Sequence, residues 1–259
     1  MEKLKKIEAF SDNYRDLLTT ETLAFKEAGS WKGVRQNWWL ALLFFFDRAF
    51  YQGRNDILSA YFERATTKAL GTVLIGSSSE KLSLLKESGR WLVRDQWKAA
   101  ENPFWQALSK RYDLGENIKY RTGRDRDKEM VLDTLSFILN QCEGCNILEH
   151  SIQLIKNGHI AELSNQLQGI ISVGPKIASF FLRDTVFVYE LDHSIRPEDY
   201  YYLMPIDTWV RKIADKLGIK ADAKAIATLC HQNGVSPIRF NQGAWYLGSH
   251  SLSVLLEML

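Results

Sequence analysis

The chain has 259 residues, a formal net charge of +2, 46% hydrophobic residues and only 5 Pro and 16 Gly. That composition excludes a disordered or collagen-like chain and is enough for one sizeable core or two lobes. The near-balanced charge neither demands nor excludes nucleic acid, because a binding footprint depends on where charges lie rather than on their sum.

The opening MEKLKKIEAF carries charge with no apolar stretch behind it, so a secretory signal is not expected. The strongest apolar run, WWLALLFFF at 38–46, is too short to span a bilayer and ends at Asp47 and Arg48. It reads as a buried helix, with Trp38 and Trp39 in the core. No membrane association is expected. The 3 cysteines cannot build a disulfide framework and suit a reducing, cytoplasmic setting.

Apolar residues recur at helical spacing almost throughout, and alternation of the strand kind is nearly absent, which predicts an all-α fold. Ser77 with Glu80 forms a capping-box pattern opening a helix that Gly89 stops. The segment KYRTGRDRDK, 119–128, is basic but holds two aspartates, and reads as a solvated loop ahead of a phosphate-contacting one. Val131, Leu135, Ile138 and Cys142 share one face of a helix running from near Asp125 to Gly144. Cys142 and Cys145 stand in a C-x-x-C arrangement, but with only Cys230 and His231 as distant company no metal site is expected.

A helix over 146–157 is closed by Gly158 and followed by a short one in HIAELSNQLQG. The turn IISVGP then leads into a further helix with Pro175 in its first turn. MPIDTWVRKIADKLG reads as a proline-initiated helix ending at Gly218, and DAKAIATLCHQNG as another ending at Gly234, before one or two closing helices. The stretch 190–203 is the longest late interruption, and its His193 reads as exposed and inert. No internal repeat, low-complexity tract or Gly/Ser/Pro-rich linker marks a boundary.

Chemistry concentrates in SVGPKIASFF, 172–181, where a glycine turn precedes Lys176 and an apolar helix. A solvated lysine at a helix start is the plain reading. The sharper one uses the exposed N–H groups of a turn between two helices: Ser172, Val173 and Gly174 would grip a phosphate while Lys176 faces a reaction centre. Asp207, in PID at the start of another helix, adds a carboxylate, and the two groups together suit a nucleophile and its electrostatic partner. Arg183 lies on the face of Lys176 about two turns further on. It reads as a phosphate contact, as a group tuning the lysine, or as a surface salt bridge.

On these residues the chain resembles the helix-hairpin-helix DNA glycosylases. Their hairpin typically reads L-P-G-V-G-x-K, matched here by Ile170, Ile171, Ser172, Val173, Gly174, Pro175 and Lys176. The Lys176-to-Asp207 spacing, the early segment WWLALLFFFDRAFYQGRNDILSAYF and the tail NQGAW resemble most the archaeal 8-oxoguanine DNA glycosylase and abasic-site lyase branch. The resemblance implies two helical lobes around an active-site cleft, roughly 30–190 with the hairpin and 1–29 with 191–259. It implies a monomer acting on double-stranded DNA that contains a damaged base. Lys176 would form a Schiff base, Asp207 would stabilise the sugar cation, Trp245 would stack on the extruded base and Asn241 would read its edge.

No cofactor is implied beyond a monovalent cation at the hairpin, and the cysteines cannot hold the iron–sulfur cluster of a sister branch. Three departures stand out: Ser172 replaces the first hairpin glycine, Asn241 replaces an aspartate, and GRNDILSAYF has no tryptophan. Two competing readings remain. One is a DNA-binding module that keeps the hairpin without the chemistry, and the other is an N-glycosidase acting on a free nucleoside or nucleotide.

Overall fold

The computed structural model describes residues 2–51, 56–115 and 117–257, and among them fifteen α-helices make the architecture all-α. The first are α1 (Glu2–Ala9), α2 (Ser11–Glu21), α3 (Leu23–Ala28), α4 (Trp31–Gln36) and α5 (Trp38–Ala49). Next come α6 (Asp56–Val73), α7 (Ser78–Glu87) and α8 (Pro103–Ser109). A minimal antiparallel pair, β1 (Tyr112–Asp113) with β2 (Lys119–Tyr120), precedes α9 (Asp125–Asn140), α10 (Ile147–Lys156), α11 (Ile160–Gln168) and α12 (Pro175–Val188). The chain continues with α13 (Thr208–Lys216), α14 (Ala223–Gln232) and α15 (Pro237–Glu257). No described helix is long and apolar enough to cross a membrane.

Side-chain caps set many of the helix starts, because the first amides of a helix have no acceptor of their own. Asn37 caps the buried α5 by accepting from the Trp39 amide at 3.0 Å. Ser77 and Glu80 complete both arms of the capping box on α7. Asn146 caps α10, accepting from Leu148 at 3.0 Å. Two boundaries differ from the sequence pattern. The helix starting at Asp125 stops at Asn140, so Cys142 is buried beyond its end and Gly144 lies in a separate 3₁₀ turn. Pro205 does not initiate α13. Asp207 does, as the N-cap, with Pro205 and Ile206 in the irregular segment before it. The stretch 190–203 is largely wound into two 3₁₀ segments, Asp192–Ser194 and Pro197–Leu203, and His193 is exposed.

Contacts divide the chain into two compact units. The first comprises residues 1–26, 152–165 and 174–259, and its apolar core joins Leu4 and Ile7 of α1 to Val210 and Ile213 of α13, Ile226 of α14, and Phe240, Ala244 and Leu247 of α15. Within it α15 packs directly on the α1 backbone, since a Cβ at Gly243 would overlap the Ile7 carbonyl oxygen. Only glycine permits that approach. Residues 152–165 and 174–190, which the sequence-based boundary placed in the 30–190 lobe, belong to this unit.

The second unit comprises 27–151 and 166–173 and is built around α5, whose Leu42, Phe44, Phe45 and Phe46 are fully buried. Trp38 belongs to this core, donating its indole N–H to the Ser78 carbonyl at 2.7 Å. On α6, Ser59, Glu63 and Thr67 follow one another at one-turn spacing, and each holds a buried side-chain oxygen with no hydrogen-bond partner among the described residues. Burial, then the charge of Asp47, push the Glu63 carboxyl from 4.5 up to about 8, against the pull of Arg64 and Arg48.

That shift makes the fold pH-sensitive. Unfolded, Glu63 ionises near 4.5; folded, it keeps its proton to about 8, so the native state holds an extra proton in between and stability falls as pH rises through that window. Glu63→Gln is expected to remove the slope. The variant should gain stability over the parent increasingly up to about pH 8 and match it near pH 4, as read by denaturant unfolding. Parallel stability profiles for the two proteins would contradict this account of Glu63.

Candidate functional site

The turn between α11 and α12 is closed by the Val173 amide, which donates to the Ile170 carbonyl at 3.0 Å. Ser172 sits at φ 66, in the left-handed region. A non-glycine residue there costs on the order of 1 kcal/mol, which is why glycine suits this position of the motif. Gly174 follows as the N-cap of α12, its carbonyl accepting from Ala178 at 3.0 Å. Pro175 has no N–H, so the Lys176 and Ile177 amides are the donors left without an intrahelical acceptor.

Two side chains of α9 hold this turn. Asp133 accepts from the Ile171 amide at 2.9 Å while taking a second bond from Arg94 at 3.0 Å. Arg126 donates from Nε to the Ser172 hydroxyl at 3.2 Å. Arg126 lies in the basic segment read as a solvated loop, whose second half is in fact the first turn of α9. Its exposure agrees with that reading, but its contact with Ser172 depends on the fold and leaves no trace in local sequence.

Lys176 is the second residue of α12 and half-buried. Its amine makes no hydrogen bond, ion pair or ring contact among the described residues. Asp207 is likewise half-buried. One carboxylate oxygen accepts from the Val210 amide at 2.8 Å, which fixes the side chain, and the other has no partner among the described residues.

Arg183 is fully buried, which removes it from any phosphate or surface salt bridge. Its Nε donates to Asp184 at 2.9 Å and its Nη1 to the Asn241 side-chain oxygen at 2.7 Å. Its Nη2 pairs with Asp184 and donates to the Tyr14 hydroxyl, which in turn donates to the second Asp184 oxygen at 2.8 Å. The guanidinium also lies over the Tyr14 and Phe180 rings, 4.8 and 4.7 Å from their centroids. Asn241 completes the set by donating to the Pro205 carbonyl at 3.2 Å. With no exposed surface and both polar atoms engaged, Asn241 is a structural link here rather than a group presented to a base.

This cluster ties α12, which carries Lys176, to α2, to α15 and to the segment leading into Asp207. Trp245, one turn beyond Asn241, is half-buried and packs edge-on against Tyr14 at 5.5 Å. Between them Gln242 is fully buried, with neither amide atom hydrogen-bonded among the described residues. The sequence reading passed over it, since burial of a polar side chain is invisible in composition. If the tail were only packing, the sequence offers Trp38 and Gln52 as an alternative place for a base pocket; Trp38 is buried in the core and Gln52 lies outside the described residues.

Among the described residues no group of three or more His, Cys, Asp or Glu side chains is arranged to hold a metal ion. A monovalent cation at the turn would rely on backbone carbonyls, of which those of Ile170 and Gly174 already accept amides. A scan against family models and searches of curated proteins and solved structures found no match to this chain.

The buried ion pair generates a stability prediction. Asp184→Asn leaves the Arg183 charge enclosed without its counter-charge, and truncating one partner of such a pair costs about 3–5 kcal/mol. Denaturant unfolding should show that loss. A change below about 1 kcal/mol would contradict the reading of the cluster as a closed ionic network.

Proposed function

We propose that the chain is a DNA glycosylase with abasic-site lyase activity, removing an oxidised purine, 8-oxoguanine above others, from double-stranded DNA through a lysine Schiff base. One observation carries the reading: the half-buried Lys176 amine, directly after a turn with a left-handed residue and uncommitted to any described partner. The motif resemblance supplies the reaction class, and the geometry around Asp207 is compatible with it.

Each residue type then has a task. The helix-hairpin-helix turn, with the Ser172 and Gly174 amides and the start of α12, offers donors and a positive helix end to a DNA phosphate, while the Val173 amide is spent on closing the turn and Arg126 adds charge beside Ser172. The target base leaves the stack at a cost of a few kcal/mol and is received on the face of Trp245.

The Lys176 amine attacks C1′ as the bond to the base breaks. The sugar carries positive charge in that transition state, and the free oxygen of Asp207 stabilises it. Loss of the amine proton and ring opening give the Schiff base, and removal of a C2′ proton then expels the 3′ phosphate. The enzyme would act as a monomer in the cytoplasm, at the chromosome.

A panel of duplexes carrying 8-oxoguanine, uracil, alkylated adenine or an oxidised pyrimidine tests this reading. Excision and strand cutting should be greatest with 8-oxoguanine. Lys176→Gln should bind the duplex but neither excise nor cut, and Asp207→Asn should slow single-turnover excision roughly 100-fold with little change in binding. Trp245→Ala should lose about 1–3 kcal/mol of base stacking, slowing base removal while still cutting a preformed abasic site. Inactivity on every duplex, or undiminished strand cutting by Lys176→Gln, would refute the proposal.

A further inference from the structure

The chain carries a second chemical feature at the far end of α9, independent of the glycosylase reading. Residues 142–145 read Cys-Glu-Gly-Cys, and the Cys145 amide donates to the Cys142 carbonyl at 3.0 Å, closing the segment into a four-residue turn. Gly144 at φ 64 and Cys145 at φ 55 both take left-handed backbone to make it. Such a turn holds its end Cα atoms within about 7 Å. A disulfide spans Cα separations of about 4.4–6.8 Å, so the backbone already has the span the bond requires.

The two thiols differ in environment. Cys142 is buried, and burial first, then the neighbouring Cys145, push its thiol up to about 12. Cys145 is half-exposed, open to a reagent from solvent. Cys230, the remaining cysteine, is buried in the other unit and has no such neighbour in sequence.

We propose that Cys142 and Cys145 form a reversible dithiol–disulfide couple, a modification site for low-molecular-weight disulfides of the glutathione type. The Cys145 thiolate attacks one sulfur of the reagent disulfide, forming a mixed disulfide and releasing one reagent thiol. Cys142 then loses its proton to solvent and attacks the Cys145 sulfur, forming the internal bond and releasing the second reagent thiol. Two protein thiols are oxidised and one reagent disulfide is reduced, so electrons balance. The exposed residue is the attacking thiol, and the buried one, protonated at rest, resolves the adduct. The turn follows directly after α9, the helix that grips the 170–174 turn through Arg126 and Asp133.

The test is incubation of the native protein with oxidised glutathione, followed by thiol alkylation under denaturing conditions and peptide mass spectrometry. The parent should lose two alkylatable thiols, retain no glutathione, yield a linked peptide holding residues 142 and 145, and recover fully with dithiothreitol. Cys142→Ser should keep one glutathione on Cys145, Cys145→Ser should stay unmodified, and Cys230→Ser should behave as the parent. Circular dichroism establishes that each variant is folded before it is treated. Three alkylatable thiols in the treated parent, a persistent parental adduct on Cys145, or identical behaviour of Cys142→Ser and Cys145→Ser would overturn the couple.

Discussion

The buried contact between Arg183 and Asp184 is the constraint on which the arrangement of the first unit rests. An enclosed guanidinium is tolerated only when its charge is balanced and its donors are used, and here Asp184, Tyr14 and Asn241 meet that demand together. Hydrophobic packing is non-directional and would accept many sliding positions of one helix on another. The guanidinium fork accepts few. It therefore fixes α2 and α15 against α12, and through the Asn241 amide it fixes the carbonyl of Pro205 as well.

That arrangement has a chemical consequence. Lys176 and Asp207 both sit at helix N-termini, so their backbones are set by the helices and not by loops. Asp207 uses one oxygen to cap α13 and keeps the other available, which separates its structural duty from the electrostatic one we assign it. Lys176 differs, for nothing among the described residues ties down its amine. A nucleophile has to be free to move onto a carbon atom, whereas a group that stabilises charge gains from being held in place. The tail NQGAW combines these demands in successive residues: Asn241 links, Gly243 lets α15 touch α1, Ala244 fills the core and Trp245 lies half-exposed beside Tyr14.

Local signals in the sequence were reliable wherever they rested on local physics. The capping box at Ser77, the buried helix over 38–46 and the glycines at 158, 218 and 234 that close helices depend on neighbours a turn away, and the structure places them accordingly, although burial runs on past Asp47 to Phe50. The end of α9 was misjudged because Cys142 continues the apolar periodicity after the backbone has left the helix. Pro205 carried a helix-start signal that the Asp207 cap overrides. Arg183 read as a phosphate contact, a lysine-tuning group or a salt bridge, and Asn241 as a base reader, for a different reason: besides the adjacent Asp184, Arg183 pairs with Asn241 and Tyr14, far away along the chain, and no window of sequence reveals that pairing. Ser172 was legible as a departure from a glycine motif, but its left-handed backbone and its grip by Arg126 required the folded chain.

The central claim is that the Lys176 amine becomes covalently joined to the sugar of a damaged nucleotide. Reduction with borohydride during reaction with an 8-oxoguanine duplex converts such an imine into a stable amine, and peptide mapping then locates it. The account predicts a single adduct on the peptide containing Lys176. An adduct on another lysine or on the chain terminus, or no adduct while 8-oxoguanine is being excised, would contradict it.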